Sequence, residues 1–288
     1  MSDLDLVAVT GATGAVGGRV ARRLANEGRA VRLIVRDRLK APDLDAEIAV
    51  ASYDDVDAMR AALAGVSSLL FVSGREAEDR LAHHLTVVQA AADAGVDHVV
   101  YTSFLGASPQ CTFTLGRQHF ATEQAIRSHN LTSTFLRDSL YLDFLPFFAG
   151  DGEIRAPGGD GAFAPVARDD VARVAFEALL DPALHGGQTY DVTGRDRVTL
   201  ADAAAILSRL AGREIPYVAE TVDEAYASRA KYNAPDWEVA GWVSSYLAIA
   251  AGELDAVSDD VERVTGSAPV GIEEWLDANP EAWAHLKA

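Results

Sequence analysis

The sequence predicts an α/β protein built on a doubly wound parallel sheet, with a smaller, mostly helical C-terminal lobe. Short apolar, β-branched runs alternate with longer amphipathic runs along the first half of the chain. The apolar runs do not alternate strictly with polar residues, which is typical of strands buried on both faces of a parallel sheet. Each helical run falls where a crossover between parallel strands is needed. Together these observations indicate a Rossmann-type sheet.

The predicted elements of the first half follow in chain order. Strands are expected at 6–9, 30–35, 47–51, 68–73, 98–103 and 131–137, and helices at 15–26, 56–65, 77–94 and 113–128. Asp54 or Asp55 is placed to cap the second helix. Gly65 and Gly95 are placed to end the second and third helices.

After about residue 140 the alternation of short apolar runs with longer amphipathic runs becomes less regular. The segment 153–166 is rich in turn residues, and the remainder after about 221 is mostly helical. Between them we expect helices at 168–180 and 199–212 and strands at 188–194 and 214–220. The expected domains are a Rossmann domain over 1–150 and a smaller lobe over 151–288, with the alternative that later segments such as 188–194 rejoin the first domain.

Composition limits the classes of partner. The chain has 288 residues and a formal net charge of −18, so its field repels nucleic acid and anionic membrane surfaces. The single cysteine, Cys111, excludes an intrachain disulfide, which fits a reducing compartment. No apolar run approaches the ~20 residues that span a bilayer. We expect a cytoplasmic protein with no nucleic-acid or membrane partner, and a homo-oligomer is compatible with the sequence.

The stretch VAVTGATGAVGGRVARRL contains three glycines, Gly11, Gly14 and Gly17, between a predicted strand and a predicted helix. The first glycine allows a tight turn, the second a close approach of the backbone to a pyrophosphate, and the third close packing of helix on strand. The free N–H groups of the helix start then favour phosphate. The flanking strand and helix are the context that this motif requires, so the first domain is predicted to bind a dinucleotide.

The residues after the second strand indicate which dinucleotide is bound. Arg36 follows the strand directly, about 20 positions beyond the last glycine, where the adenosine ribose is contacted. An arginine there favours a 2′-phosphate, whereas an acidic residue favours the 2′-hydroxyl. Arg36 therefore favours NADP(H) over NAD(H), and the adjacent Asp37 keeps NAD(H) as the alternative.

Several motifs, in order, resemble one family. TGATGAVG, IVRD, AALAGVSSLLFVS, AGVDHVVYTS and HFATEQAIRSHNLTSTFLR resemble the NmrA-like branch of the atypical short-chain dehydrogenase/reductase superfamily, with the greatest likeness to its NAD(P)H:quinone oxidoreductase type 2 group. RDDVA, YDVTG and VSDDVERVTGSAP extend the likeness over nearly the whole chain. The resemblance implies a Rossmann domain and a small C-terminal lobe with a substrate cleft between them.

The resemblance and the glycine turn together assign a set of cofactor contacts. The set is Thr10, Gly11, Ala12, Thr13, Gly14, Ala15, Val16, Gly17, Arg36, Phe71, Val72, Ser73, Thr102 and Ser103. Two positions depart from the family's pattern. Ser52 stands where relatives often have an Asp that holds the adenine, and Asp143 stands where they often have an Asn.

The usual catalytic pair of these dehydrogenases, a Tyr followed four residues later by a Lys, is absent. The three lysines, Lys40, Lys231 and Lys287, all lie far from the helix after the fifth strand. His119 and Glu123 stand at the expected place. They are open to three interpretations: a catalytic pair, a metal site, or a cleft-lining or helix-packing histidine with a charge partner, of which we favour the last. No third metal ligand presents itself, and the adjacent His83 and His84 point apart on a helix, so no metal is predicted.

Hydride transfer to a quinone needs no strong acid or base, because the cofactor carries the difficult step. We therefore predict an NADPH-dependent oxidoreductase acting on a quinone or similar carbonyl compound, with His119 and Tyr141 as catalytic candidates. Phe104, Tyr141 and Phe144 are the predicted substrate contacts, although each aromatic residue could equally be core. One alternative is a non-catalytic NAD(P)-binding redox sensor that acts through a protein partner. The other alternative is a tailoring or isomerising enzyme that acts on a specialised metabolite.

Overall fold

The computed structural model describes residues 5–287. The described chain forms two compact units. The first contains the residues up to 104 together with 118–137 and 169–190, and the second contains 105–117, 138–168 and the residues from 191 onward. The division is thus interleaved rather than made at one boundary near residue 150, because segments late in the chain return to the first unit.

The strands and helices of the described residues are numbered in chain order. The strands are β1 Val7–Val9, β2 Val31–Val35, β3 Glu47–Val50, β4 Ser68–Phe71, β5 His98–Phe104, β6 Thr132–Asp138, β7 Ile154–Ala156, β8 Ala162–Phe163, β9 Thr189–Val192, β10 Val198–Thr199 and β11 Tyr217–Ala219. The helices are α1 Ala15–Asn26, α2 Val56–Ala62, α3 Arg80–Ala94, α4 Thr114–Ser128, α5 Arg168–Leu180, α6 Pro182–His185, α7 Leu200–Ala211, α8 Val222–Arg229, α9 Asp236–Ala250, α10 Asp260–Thr265, α11 Ile272–Ala278 and α12 Pro280–Trp283. Short 3-10 segments cover Arg38–Lys40, Leu142–Ala149, Ala230–Tyr232 and Ala284–Leu286.

The prediction of a doubly wound parallel sheet is confirmed. Seven strands pair in the order β3-β2-β1-β4-β5-β6-β9, and the ladders β2–β3, β1–β2, β1–β4 and β4–β5 are all parallel. The 188–194 segment does rejoin this sheet, as β9. The order reverses between β1 and β4, and ligands of such sheets bind beyond the carboxyl ends of the strands at that point.

Local signals in the sequence account for two of the helix ends, whereas Gly65 lies beyond Ala62, the last residue of α2, and does not end that helix. Asp55, rather than Asp54, caps α2 by accepting a hydrogen bond from the Ala58 N–H at 2.9 Å. Gly95 ends α3 in the left-handed conformation with φ of 73°, as expected of a C-terminal glycine. The third helix begins at Arg80 rather than at residue 77, because the segment between β4 and α3 forms a loop.

The remaining strands form small sheets, which the sequence did not fully predict. In the second unit β7 pairs with β11 in parallel and β8 pairs with β10 antiparallel. Only β11 was expected, within the run at 214–220. The strands β7 and β8 lie in the turn-rich segment 153–166, and β10 has only two residues, too few for a periodic pattern. The expectation of a mostly helical C-terminal region is met by α8 to α12. Within residues 5–287, no helix combines the length and apolar character needed to cross a membrane.

Candidate active site

A cavity of about 510 Å³ lies in the first unit, beyond the carboxyl ends of β1 to β4. Of the predicted cofactor contacts, Gly11, Thr13, Arg36, Val72 and Ser73 line it. They come from three separate segments, which follow β1, β2 and β4 and which the parallel sheet brings to one edge. The cavity therefore lies where a doubly wound sheet binds its ligand.

The glycine turn has the geometry of a phosphate-binding loop. Gly11 has φ of 61°, a left-handed conformation that glycine adopts without strain. The Gly14 N–H donates to Gly11 O at 2.8 Å and closes the turn before α1 begins at Ala15. A Cβ on Gly17 would lie 2.5 Å from Gly11 O, so only glycine fits this position. The turn thus leaves the start of α1 accessible to a phosphate group.

Positive charge is concentrated at this cavity despite the net negative charge of the chain. Arg36, Arg75 and Arg80 line it, together with the acidic Asp54 and Asp79. Arg36 and Arg75 are exposed, and neither makes a hydrogen bond or ion pair with any residue between 5 and 287. Two uncompensated guanidinium groups therefore remain available to an anionic ligand, and the residues fit a phosphorylated dinucleotide.

Two buried threonines fix the loop that follows β4. Thr10 Oγ1 accepts a hydrogen bond from the Val72 N–H at 2.9 Å, and Thr102 Oγ1 accepts one from the Ser73 N–H at 2.7 Å. Tyr53 adds a hydrogen bond from its hydroxyl to Val72 O at 2.6 Å. Both threonine side chains are almost fully buried. The threonines therefore position the wall of the cavity through its backbone.

Both backbone polar groups of the next loop residue, Gly74, are held by side chains. His84 Nε2 accepts a hydrogen bond from the Gly74 N–H at 2.8 Å, and Arg80 Nε donates to Gly74 O at 2.8 Å. Because His84 Nε2 accepts, its Nδ1–H donates to Thr122 Oγ1 at 2.9 Å. Burial, with the nearby Arg80 charge, lowers the pKa of His84 to about 2, so the ring is neutral.

His119 belongs to the same buried network. Its Nε2 accepts a hydrogen bond from Arg80 at 2.9 Å, so its Nδ1–H donates to the Tyr101 hydroxyl at 3.0 Å. Burial and then the Arg80 charge hold the pKa of His119 well below its usual value. The ring is therefore neutral and both nitrogens are occupied, which leaves no free lone pair to remove a proton.

Glu123 is fully buried and tightly paired. Arg137 donates to both carboxylate oxygens, at 3.0 and 2.8 Å, and the Ser103 hydroxyl donates at 2.6 Å. The Arg127 guanidinium lies 3.6 Å away. These contacts fit the interpretation of Glu123 as a charge partner. Among residues 5–287 no group of three or more His, Cys, Asp or Glu side chains is arranged to hold a metal ion.

Phe71 is a predicted cofactor contact and Phe104 a predicted substrate contact. Both side chains are buried among other rings of the first unit. The Phe71 ring is buried against Tyr101 at a centroid distance of 5.0 Å. The Phe104 ring is almost buried, 6.1 Å from that of His119. Of the remaining predicted contacts, Ala12 and the residues 14–17 build the turn and the start of α1 rather than the lining of the cavity.

In the second unit, Tyr141 donates a hydrogen bond from its hydroxyl to Asp138 Oδ2 at 3.0 Å. Asp138 is almost fully buried, its Oδ1 has no hydrogen-bond partner among the described residues, and burial raises its pKa well above the usual value. Sequence reasoning missed Asp138; the available signal was a carboxylate at the end of β6, three residues before Tyr141.

Phe144 is exposed, and its ring lies 6.1 Å from that of Tyr141. Asp143 is occupied by an ion pair with Arg168 at 2.8 Å.

Comparisons with known proteins agree with the fold and identify the family. Residues 3–234 match the NmrA-like family. The NAD(P)H azoreductase of Xenophilus azovorans is 30% identical over 286 residues, which cover 96% of this chain and 99% of that protein. The (4-alkanoyl-5-oxo-2,5-dihydrofuran-3-yl)methyl phosphate reductase of Streptomyces griseus is 34% identical over 97% of this chain and 99% of its own length.

A solved structure is similar over most of the chain. The NADPH-dependent quinone oxidoreductase QOR2 of Escherichia coli, in complex with NADPH, superposes with a TM-score of 0.85 at 28% identity, over 94% of this chain and 99% of that one. The chain therefore belongs to the NmrA-like family, as an NAD(P)H-dependent oxidoreductase of that type. The predicted resemblance to this family and its quinone oxidoreductase group is confirmed.

Proposed function

We propose that the protein is an NADPH-dependent reductase of a quinone or a similar conjugated carbonyl compound. The observation that carries the choice of cofactor is Arg36, which lines the cavity beyond β1 to β4 and has no partner within residues 5–287. A free guanidinium at this position suits the 2′-phosphate of NADPH. The relative crystallised with NADPH supports the same choice.

Different residues of the cavity would bind different parts of the cofactor. The turn at Gly11 and the start of α1 would bind the pyrophosphate. Arg36 would bind the 2′-phosphate, and the fixed backbone of residues 72–74 would form the opposite wall. When bound, NADPH supplies the hydride, and the protein supplies orientation.

The environment of α4 favours an acceptor that needs no strong general base. The positions that usually hold the catalytic Tyr and Lys are His119 and Glu123, and both side chains are buried and occupied by fixed partners. Alcohol oxidation needs a base to remove the hydroxyl proton. Reduction of a quinone needs, besides the hydride, only one proton to complete the hydroquinone, and water or a weak acid can donate it.

The pair Tyr141–Asp138 is the proposed proton source. Because burial raises the pKa of Asp138 well above the usual range, its carboxyl group retains a proton at higher pH than an exposed aspartate. With the carboxyl proton on Oδ2, Asp138 would donate to the Tyr141 oxygen and free the hydroxyl proton for the acceptor. The two protons would move together, because burial also raises the pKa of Tyr141 well above its usual value and disfavours a tyrosinate. The other two relatives are named for an azo compound and a dihydrofuranone. Both names describe conjugated acceptors, which supports this class without selecting a member.

The test is turnover by the purified protein of NADPH with a panel of small quinones, followed by the absorbance of reduced nicotinamide. We expect turnover with at least one quinone, faster with NADPH than with NADH. Tyr141→Phe should lower kcat with little change in the KM for NADPH. Tight NADPH binding without turnover of any acceptor would overturn the proposal and favour the cofactor sensor. Location, oligomeric state and the absence of a nucleic-acid partner stay predictions.

A further inference from the structure

A second cavity, of about 520 Å³, lies wholly within the second unit and shares no lining residue with the cavity beyond β1 to β4. Its volume falls in the range of small-molecule sites. Six aromatic rings line it, from the 3-10 segment after β6, the 3-10 segment after α8, and α9. They are Phe144, Phe147, Phe148, Tyr232, Trp242 and Tyr246.

The rings are braced against one another in edge-to-face pairs. Phe148 packs on Tyr246 at a centroid distance of 5.5 Å, and Tyr232 packs on Trp242 at 5.8 Å with an interplanar angle of 88°. Such pairs fix the orientation of each ring. Tyr232 is nevertheless 55% exposed, so ring surface remains accessible to a ligand.

The charged residues of the cavity wall are balanced. Each cation contacts at least one carboxylate, so a ligand meets no uncompensated charge. The pairs are Lys231 with Asp151, Arg155 with Glu153 and Glu220, and Arg229 with Glu220. An anionic or cationic ligand would have to disrupt one of these pairs, whereas a neutral one would not. The cofactor cavity differs, because Arg36 and Arg75 there have no partner in the described chain.

One polar group of the wall is available to a ligand. The indole N–H of Trp242 has no acceptor within residues 5–287. A cavity wall of aromatic rings with one unpaired hydrogen-bond donor suits a flat molecule that carries a carbonyl oxygen. The Phe144 ring connects this wall to Tyr141 and hence to the proposed proton source.

We infer that this cavity binds the electron acceptor, and that the acceptor is a neutral, planar, conjugated carbonyl compound stacked on the rings. The inference rests on the proposed function, whose acceptor class it narrows to uncharged compounds. Loss of the stacking ring at Tyr232 should weaken binding about tenfold, the scale of one aromatic contact.

The test is calorimetric titration of the full chain with 1,4-naphthoquinone and with its 2-sulfonate, without reduced cofactor. We expect the neutral quinone to bind at least about tenfold more tightly. Tyr232→Ala should weaken it, whereas the matched control Tyr226→Ala, an exposed tyrosine outside this cavity, should not. Asp151→Asn frees Lys231 and should shift the preference toward the sulfonate.

Two results would overturn the inference: equal binding of the two quinones, or the same affinity in Tyr232→Ala and Tyr226→Ala. Steady-state kinetics separate this inference from the proposed function. Turnover with an unchanged quinone KM in Tyr232→Ala leaves the function standing and removes this site. Binding that depends on Tyr232 without any turnover supports a site for neutral planar compounds, and it removes both the proposed function and the role of the ligand as electron acceptor.

Discussion

Replacing Arg36 with alanine should reduce the affinity for NADPH about tenfold and leave that for NADH nearly unchanged. The guanidinium has no partner within residues 5–287, so its loss leaves no buried charge unpaired. A hydrogen bond to a charged group contributes about 1.5–3 kcal/mol. Arg36 is exposed, so we expect the lower end of that range, and about 1.4 kcal/mol corresponds to a factor of ten. Arg75 remains in the cavity and limits the loss.

The assay is the dissociation constant of each cofactor, measured by calorimetry for wild type and variant at two ionic strengths. Added salt should weaken NADPH binding more than NADH binding, because charge contacts at an exposed site are screened. Lys40→Ala is the control, since it removes an exposed positive charge outside the cavity. The role of Arg36 is refuted by an equal loss for NADPH and NADH, or by the same loss in Lys40→Ala.

Two further predictions concern the turn and the buried histidines. Gly17→Ala should weaken both cofactors alike, since its Cβ would lie 2.5 Å from Gly11 O; calorimetry showing wild-type affinities would contradict this geometry. The pKa is lowered by burial from 6.5 to about 2 in His84 and about 4 in His98, so the unfolded chain binds more protons below pH 6.5. Stability should therefore be full above pH 6.5 and fall as the pH decreases toward 4, by up to about 1.4 kcal/mol per pH unit and histidine. Urea unfolding between pH 7 and 5 measures this fall, which should be smaller in His98→Gln; identical pH dependence in variant and wild type would contradict it.

The fold and several residues that line the cavity beyond β1 to β4 could be predicted from sequence, because both depend on local properties of the chain. Apolar runs of strand length, helical periodicity and the spacing of Gly11, Gly14 and Gly17 each constrain the backbone within a few residues. Arg36 could be found for the same reason, because its place is counted from the glycine turn. The boundaries of α2 and α3 were off by a few residues where a loop replaced the first or last turn.

The roles of the buried polar residues were decided by tertiary structure. His119 and Glu123 gave catalytic, metal-binding and structural interpretations from sequence, and their contacts with Arg80, Tyr101 and Arg137 come from other elements. Thr10, Thr102 and Ser103 stay predicted cofactor contacts, and the structure adds that their side chains hydrogen-bond to Val72, Ser73 and Glu123. No local pattern reveals such partners.

The sequence by itself thus determined the doubly wound sheet, and it predicted the phosphate-binding role of the glycine turn and the preference of Arg36 for NADPH. Only the tertiary structure decided that Asp138 is buried beside Tyr141, and that rings from three segments enclose a cavity with balanced charges. The physical reason is that backbone conformation follows from neighbouring residues. Protonation and ligand selectivity follow from desolvation and from the charges that folding brings near a group.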